Sequence, residues 1–209
     1  MAMQPILQRI SGEISEDLSK LNIDGQTALS KAVDSVNSRL KSEFNLEDQF
    51  LYTEDHKKKL IGAIPTTQSI GFGLLTSAQK QQMLMQIVPL IVGLPLIAKV
   101  AGISPPVDLA VALAGGSEDP KHADQMQAIE IIGKSDAFNK VLDKQPLTKA
   151  DYTAEVTEAV QTLGGSVAGA TKKPEEEEKK GGLSGKQWAA IALGSAAVIT
   201  TVILITRKK

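Results

Sequence analysis

The 209-residue chain contains no cysteine, only two histidines, and few aromatic residues, which make up 3% of the sequence. Without cysteine, a disulfide scaffold and a thiolate metal site are both excluded. Hydrophobic residues still make up 42% of the chain, so any core must be built from Leu, Ile, Val and Ala. A formal net charge of −1 provides no basic excess for binding nucleic acid. We therefore expect an aliphatic protein whose partners do not include nucleic acid.

Motifs for catalysis and cofactor binding are also missing. Neither His56 nor His122 has a second ligand at the spacing of H-E-x-x-H, and no G-x-S-x-G elbow occurs. His56 lies in the charged run EDHKKK, which favours a solvated face or loop, and His122 lies in a first helical turn. Gly71-Phe72-Gly73 lacks the third glycine of a dinucleotide fingerprint, and GGLSGK at 181–186 is too short for a phosphate-binding loop. We expect no enzymatic activity, no metal and no cofactor.

One charge-free segment stands out near the C-terminus. Residues 187–206 read QWAAIALGSAAVITTVILIT, and a helix of that length is about 30 Å long, which matches the hydrocarbon core of a bilayer. A tryptophan at one end and a basic tail, 207–209, at the other suit the two membrane interfaces. We therefore predict a transmembrane helix at 187–206 rather than a buried core helix. The predicted anchor residues are Trp188, Leu193, Ile199, Ile203, Arg207, Lys208 and Lys209.

The segment before this helix, residues 164–186, is rich in Gly, Lys and Glu and has almost nothing to bury. Such a composition does not recover the entropy lost on ordering, so we predict a flexible linker. The run Glu175 to Glu178, between pairs of lysines, leaves a binding tail or a short helix as the less favoured interpretation.

The N-terminal region, residues 5–44, shows the spacing of two amphipathic helices joined by a turn at residues 22–25. Their apolar stripes are Leu7, Ile10, Ile14, Leu18 and Leu21, then Leu29, Val33, Val36, Leu40 and Phe44. We expect these helices to pack antiparallel as a hairpin within a small bundle. A coiled-coil surface for another chain is the alternative, but each helix offers only about two of the three or four heptads needed.

Residues 83–114 form the most apolar stretch of the middle region, with Lys99 and Asp108 as their only charges. Pro89 and Pro95 each remove a helical hydrogen bond, and Pro105-Pro106 forces an extended break. The pattern predicts a broken apolar helix, a turn at the prolines and a second short apolar segment. This apolar hairpin is either the buried centre of a helical domain or a membrane-inserting element. Burial is favoured, because Lys99 in lipid would cost several kcal/mol.

Residues 120–163 carry start signals for three short helices. Asp119 followed by Pro120 predicts the first, Asp136 is expected to cap the second, and Thr148 is expected to open the third, with Tyr152 on its apolar face. No run alternates in the manner of a strand. The predicted fold is therefore all-α: a small helical bundle over residues 1–163 with an apolar central hairpin, a flexible charged linker and one C-terminal transmembrane helix.

A single apolar span close to the C-terminus resembles the topology of tail-anchored proteins, and that resemblance implies a single-pass membrane protein. The first residues lack the features of a secretory signal, and Ala2 excludes N-myristoylation. Five lysines precede the span within the linker and three basic residues follow it. By the positive-inside rule, we expect the helical domain to face the cytoplasm or, in a virus, the virion interior.

These features favour a membrane-anchored helical adaptor or structural protein that tethers a protein assembly to a bilayer. Its partners would be the lipid bilayer and a protein bound through the helical domain, and a viral membrane or minor structural protein is a variant of the same hypothesis. The alternative is a membrane-remodelling or permeabilising protein, pore-forming or holin-like, whose 83–114 hairpin enters the bilayer.

Overall fold

The computed structural model describes residues 5–63, 71–115 and 120–167, which are helical and contain no β-strand. Backbone contacts divide the chain into Met1–Ala170 and Thr171–Lys209, and every described residue belongs to the first unit. The all-α prediction is therefore confirmed over these ranges. The predicted span at 187–206 with its anchor residues, the basic tail, most of the linker and the Asp119 cap lie outside the described residues.

Short turns connect the helices of this unit. Two 3₁₀ turns, Asp48–Phe50 and Lys149–Asp151, precede α3 and α8, respectively. In chain order the helices are α1 (Pro5–Ser19), α2 (Gly25–Phe44), α3 (Glu54–Gly62), α4 (Ser77–Ala101), α5 (Val107–Gly115), α6 (Pro120–Gly133), α7 (Asp136–Leu142) and α8 (Ala154–Thr162).

The first two helices form where the periodicity predicts them. The Asp24 side chain caps α2 by accepting a hydrogen bond from the Thr27 N–H at 2.9 Å, and Asn45 ends the helix in the left-handed conformation. Both predicted stripes are buried except for Leu21, which is 39% exposed. Although α1 contacts α2, it packs more extensively along α4. The two helices therefore contact each other, but they do not form a self-contained hairpin, because both also pack against α4.

The predicted break in the central apolar helix is wrong. Helix α4 runs without interruption from Ser77 to Ala101 and contains both Pro89 and Pro95. Each proline lacks an N–H donor, so each removes only one helical hydrogen bond. The aliphatic side chains on either side of the prolines are buried against other helices, and this burial stabilises the continuous helix. The chain turns only after Gly102, whose φ of 66° allows a left-handed cap.

The second arm of the predicted apolar hairpin is α5, which follows the Pro105-Pro106 turn as expected. It packs mainly against α3 rather than along α4, however. Helix α1 covers much of α4. The two apolar segments, α4 and α5, therefore follow each other in the chain but do not pack side by side as a hairpin. An ion pair of 3.7 Å between Lys59 and Asp108 also joins α3 to α5.

The caps of the last two helices differ from those predicted. Ser135, not Asp136, caps α7 and accepts a hydrogen bond from the Phe138 N–H at 3.2 Å. Thr148 caps a 3₁₀ turn, and Thr153 begins α8. Tyr152 therefore lies before α8 instead of on its face, and its hydroxyl donates a hydrogen bond to the Val100 carbonyl of α4 at 2.9 Å. Adjacent residues that can each cap a helix make such boundaries ambiguous in sequence.

The helical body extends past the predicted boundary at residue 163. The Gly165 N–H donates a hydrogen bond to the Val160 carbonyl at 2.9 Å, and Val167 is partly buried against the core. A Cβ atom on Gly165 would lie only 2.2 Å from the Ala101 carbonyl oxygen. The first residues of the predicted linker therefore pack against the end of α4.

The stability of the fold should depend on pH through Asp151, which lies in the 3₁₀ turn before α8. Asp151 accepts hydrogen bonds from the Lys140 ammonium and the Thr148 N–H, each at 2.6 Å, and these contacts lower its pKa to about 2. Ionised Asp151 therefore stabilises the fold above its unfolded-state pKa, and this contribution is lost as the pH falls toward 2. In urea titrations we expect the free energy of unfolding to decrease from about pH 5 to about pH 2, with a smaller decrease for Asp151→Asn. Equal slopes for both proteins would contradict the assignment.

Candidate interaction surface

Both histidines lie in first turns of helices, and His56 contributes to the cap of its helix. His56 lies in the first turn of α3 rather than in a loop. Its ring Nδ1 accepts a hydrogen bond from the Thr53 backbone N–H at 3.3 Å, and its backbone N–H donates a hydrogen bond to Thr53 Oγ1 at 3.2 Å. Burial lowers the pKa of His56. His122 lies in the first turn of α6. Among the described residues, no group of three or more His, Asp and Glu side chains could hold a metal ion.

Helix α4 is the one described helix long and apolar enough to cross a membrane, judged by length and composition alone. It lies in the middle of the chain, whereas the predicted span lies at 187–206. In its most apolar window, 56% of the residues are buried inside the protein. Since the core helix of a soluble protein passes the same test, the length and hydropathy of α4 are weak evidence for insertion.

Two lysines bracket the 18 uncharged residues 81–98 of α4. Lys80 is 5% exposed; its ammonium donates a hydrogen bond to the Leu21 carbonyl at 2.9 Å and lies 5.7 Å from the centre of the Phe72 ring. Its burial was not predicted, although it is the only charged residue between Lys59 and Lys99. Its hydrogen bond joins the N-terminal end of α4 to the connection between α1 and α2.

Lys99 performs the corresponding role near the other end of α4. Its ammonium contacts both carboxylate oxygens of Glu47, at 2.5 and 2.6 Å, and lies 4.8 Å from the centre of the Phe50 ring. Partial burial raises the pKa of Glu47, but the hydrogen bond from Lys99, a backbone hydrogen bond and the charge of Lys99 together outweigh it, so that the net pKa is lowered. Lys99 thus reaches the protein surface from a buried helix, as the buried interpretation of the 83–114 segment requires.

The four prolines of that segment do not come together as a site. Pro89 and Pro95 lie within α4, while Pro105 and Pro106 form the turn to α5. Pro95 and Pro105 are buried, and the other two are partly buried. Their role in the described structure is to shape the backbone.

A cavity of about 70 Å³ lies between α2 and α4, beside Phe72. Its described lining is mostly apolar and consists of Gly25, Ala28, Leu29, Phe72, Met83, Leu84, Ile87 and Val88. Met83 is also 40% exposed, so the cavity reaches the surface as a cleft. Gly25 and Ala28 leave space there because they lack long side chains. This cleft was not predicted, since its walls come from three separate segments.

Leu74 is the most exposed large apolar residue of the described ranges, at 87%. It belongs to the same tight turn as Phe72, which is 4% exposed and lines the cleft. Hydrogen bonds of 3.1 Å from the Leu74 N–H to the Gly71 carbonyl and from the Leu75 N–H to the Phe72 carbonyl fix this turn. The apolar cleft is the best-defined candidate interaction surface of the described residues.

Comparisons of the chain with protein-family models, with curated proteins and with solved structures found no match.

Proposed function

We propose that the protein is a membrane-anchored helical adaptor that holds a partner protein at a bilayer. One observation carries the proposal: α4 is packed inside the helical body, while the apolar cleft beside it is open to the surface. The cleft, rather than the helix itself, is then the surface available for binding. A small apolar cavity of this kind suits one or two buried anchor side chains of a partner.

The membrane anchor in this proposal is the charge-free segment 187–206 with Trp188 and the basic tail. The linker would join it to the helical body, which would face the cytoplasm or a virion interior. Attachment to a bilayer raises the effective concentration of the body near other membrane-bound partners. Such a function needs no catalytic residues, only a folded body, a binding surface and an anchor.

A permeabilising protein is the second candidate, and the length and hydropathy of α4 favour it. Insertion of α4 would have to break the hydrogen bond of Lys80 to Leu21 and the ion pair of Lys99 with Glu47. It would also expose the apolar faces of the helices that now cover α4, at about 25 cal/mol for each Å². These costs favour the adaptor.

Removing the charge of Lys99 distinguishes the two candidates. In an adaptor, Lys99→Leu loses a partly exposed ion pair, worth about 0 to 1 kcal/mol, and the contact of the ammonium with the Phe50 ring. The helices around α4 stay packed, so the body, residues 1–170, should float with liposomes no more than the unaltered body does. In a permeabilising protein, the same change removes a barrier to insertion and should markedly increase flotation. Lys58→Leu, which removes an exposed lysine from α3, is the matched control. Strong flotation of the unaltered body, or of Lys99→Leu alone, would contradict the adaptor.

A further inference from the structure

All the large apolar side chains that are exposed in the described ranges lie at one end of the helical body. They are Leu21, Leu74, Met83 and Met85, with exposed fractions between 39% and 87%. Leu21 lies in the connection between α1 and α2, Leu74 lies in the turn before α4, and both methionines lie in the first three turns of α4. We call this group of four side chains the apolar tip.

Contacts around Lys80 bring the parts of the apolar tip together. The Lys80 ammonium donates a hydrogen bond to the Leu21 carbonyl at 2.9 Å and lies 5.7 Å from the centre of the Phe72 ring, in the turn before α4. A Cβ atom on Gly73 of the same turn would lie 3.7 Å from the Ile23 carbonyl oxygen. The α1–α2 connection, this turn and the start of α4 therefore meet at one end of the body.

The part of the apolar tip on α4 carries no exposed charge. Lys80 is 5% exposed, and residues 81–98 contain no charged side chain. The exposed residues next to the two methionines are Gln82 and Gln86. Single exposed apolar side chains are common on protein surfaces, but all those of the described ranges gathered at one end are typical of an interaction surface.

The charges at the edge of the apolar tip favour a bilayer as its partner. Lys20 and Asp24 lie on either side of Leu21 in the chain, and both are exposed. In a dry protein interface, such groups would lose their water and would each need a charged or polar partner. At a membrane surface, ammonium and carboxylate groups stay hydrated among the headgroups while neighbouring apolar side chains enter the acyl boundary.

The chain that follows the described residues is long enough to bring the apolar tip to the membrane. Residues 164–167 lie at the opposite end of α4, where Gly165 approaches the Ala101 carbonyl. Helix α4 has 25 residues and is about 37 Å long. The 19 residues 168–186, which precede the predicted anchor, span at most about 65 Å when extended. The anchor and the apolar tip can therefore reach the same bilayer.

We propose that the apolar tip docks on the surface of the bilayer that holds the anchor. The inference rests on the proposed function and adds an orientation to it, because the end of the body that carries Leu74 faces the lipid. The anchor keeps the lipid at a high effective concentration, so a few apolar side chains suffice. The same side chains are too few to hold an untethered body on vesicles, so residues 1–170 alone should not float strongly.

Quenching of labelled full-length chains by modified lipids tests the proposal. The chain contains no cysteine, so Leu74→Cys and Met85→Cys each provide one position for a polarity-sensitive fluorophore. Gln161→Cys, at an exposed position of α8, is the matched control at the other end of α4. In phosphatidylcholine vesicles with a nitroxide just below the headgroups, quenching at positions 74 and 85 should exceed that at 161 by about twofold or more, because only docked probes reach the acyl boundary.

Substitutions of Leu74 test whether its side chain holds the body on the lipid. Leu74→Glu should weaken docking about tenfold or more, reported by the probe on Met85→Cys, because a carboxylate would have to leave water. Leu74→Met keeps an apolar side chain of similar reach and should retain most of the quenching. Gln161→Glu adds the same charge at the other end of the body and should leave quenching at position 85 unchanged. Circular dichroism of each variant checks that the helices remain folded.

Equal quenching at positions 74, 85 and 161, or quenching at 85 that Leu74→Glu leaves unaltered, would overturn the proposal. So would a blue-shifted probe at position 74 that the nitroxide lipids do not quench, because protein would then cover the apolar tip. Carbonate extraction tests the anchor separately. A chain that resists extraction without preferential quenching of the tip contradicts only this inference. A chain that is extracted contradicts the proposed function and, with it, the tether on which docking depends.

Discussion

Removal of residues 187–209 should convert the chain from one that resists alkaline carbonate extraction into one that is released completely. The deleted segment contains the 20 charge-free residues and the basic tail that predict the anchor. The remaining helical body keeps its longest apolar helix, α4, packed among other helices. Extraction of membranes from cells producing the full and truncated chains, followed by immunoblotting, measures the effect.

A single substitution provides a sharper version of this test. Leu193→Arg places a charge near the middle of the predicted span and should weaken insertion by about 3 kcal/mol, whereas Leu193→Ile should leave it unchanged. Membrane retention of the truncated chain would contradict the prediction and make α4 the anchor. Retention of Leu193→Arg at the level of Leu193→Ile would show that 187–206 does not span the bilayer.

Periodicity in the sequence was sufficient to predict the helices with one buried face. In α1, Ile10 and Ile14 follow the 3.6-residue period and are buried as expected. Ser11 and Ser15, which follow these two isoleucines, are also fully buried, although their hydroxyl groups do not mark them as part of the apolar stripe. Small residues let another helix approach closely, and α1 packs along α4. The period of a single helix does not reveal which neighbour covers it.

The central helix shows the opposite limitation. The buried positions of α4 lie on nearly all of its sides toward the C-terminal end, so no apolar face marks it in the sequence. Pro89 and Pro95 then dominated the local signal and predicted a break. Whether a proline ends a helix depends on what packs around it, and that packing comes from α1, α2 and the later helices.

The candidate surface could not be predicted for a related reason. Phe72 and Leu74 lie in or next to Gly71-Phe72-Gly73, a pattern that lacks a dinucleotide fingerprint and predicts nothing about the exposure of either side chain. Their opposite exposures, 4% and 87%, arise from the turn geometry and from contact with α2 and α4. Two features of the sequence did point there: Lys80 is an isolated charge in a long neutral region, and Gly25 and Ala28 are small residues at apolar positions of α2.

Gly165→Ala should lower the free energy of unfolding by about 2 to 3 kcal/mol, because the site is already full. The added Cβ would lie 2.2 Å from the Ala101 carbonyl oxygen and 3.0 Å from Cγ1 of Val160. Ala101 is the last residue of α4 and its oxygen belongs to the backbone, so a change of side-chain rotamer does not relieve the contact. Either the last turn of α4 shifts or residues 164–167 separate from it, and both changes lose packing at the end of the central helix.

Gly12→Ala is the matched control for this prediction. Gly12 lies within α1, and a Cβ atom there would meet nothing within 4 Å outside its own helix. The same added methyl group should therefore stabilise the body by about 0.5 to 1 kcal/mol through helix propensity. Urea titrations of residues 1–170, followed by circular dichroism, measure both variants. A Gly165→Ala body as stable as the unaltered one would contradict the close approach of this glycine to α4, since the control shows that the added methyl group alone is not destabilising.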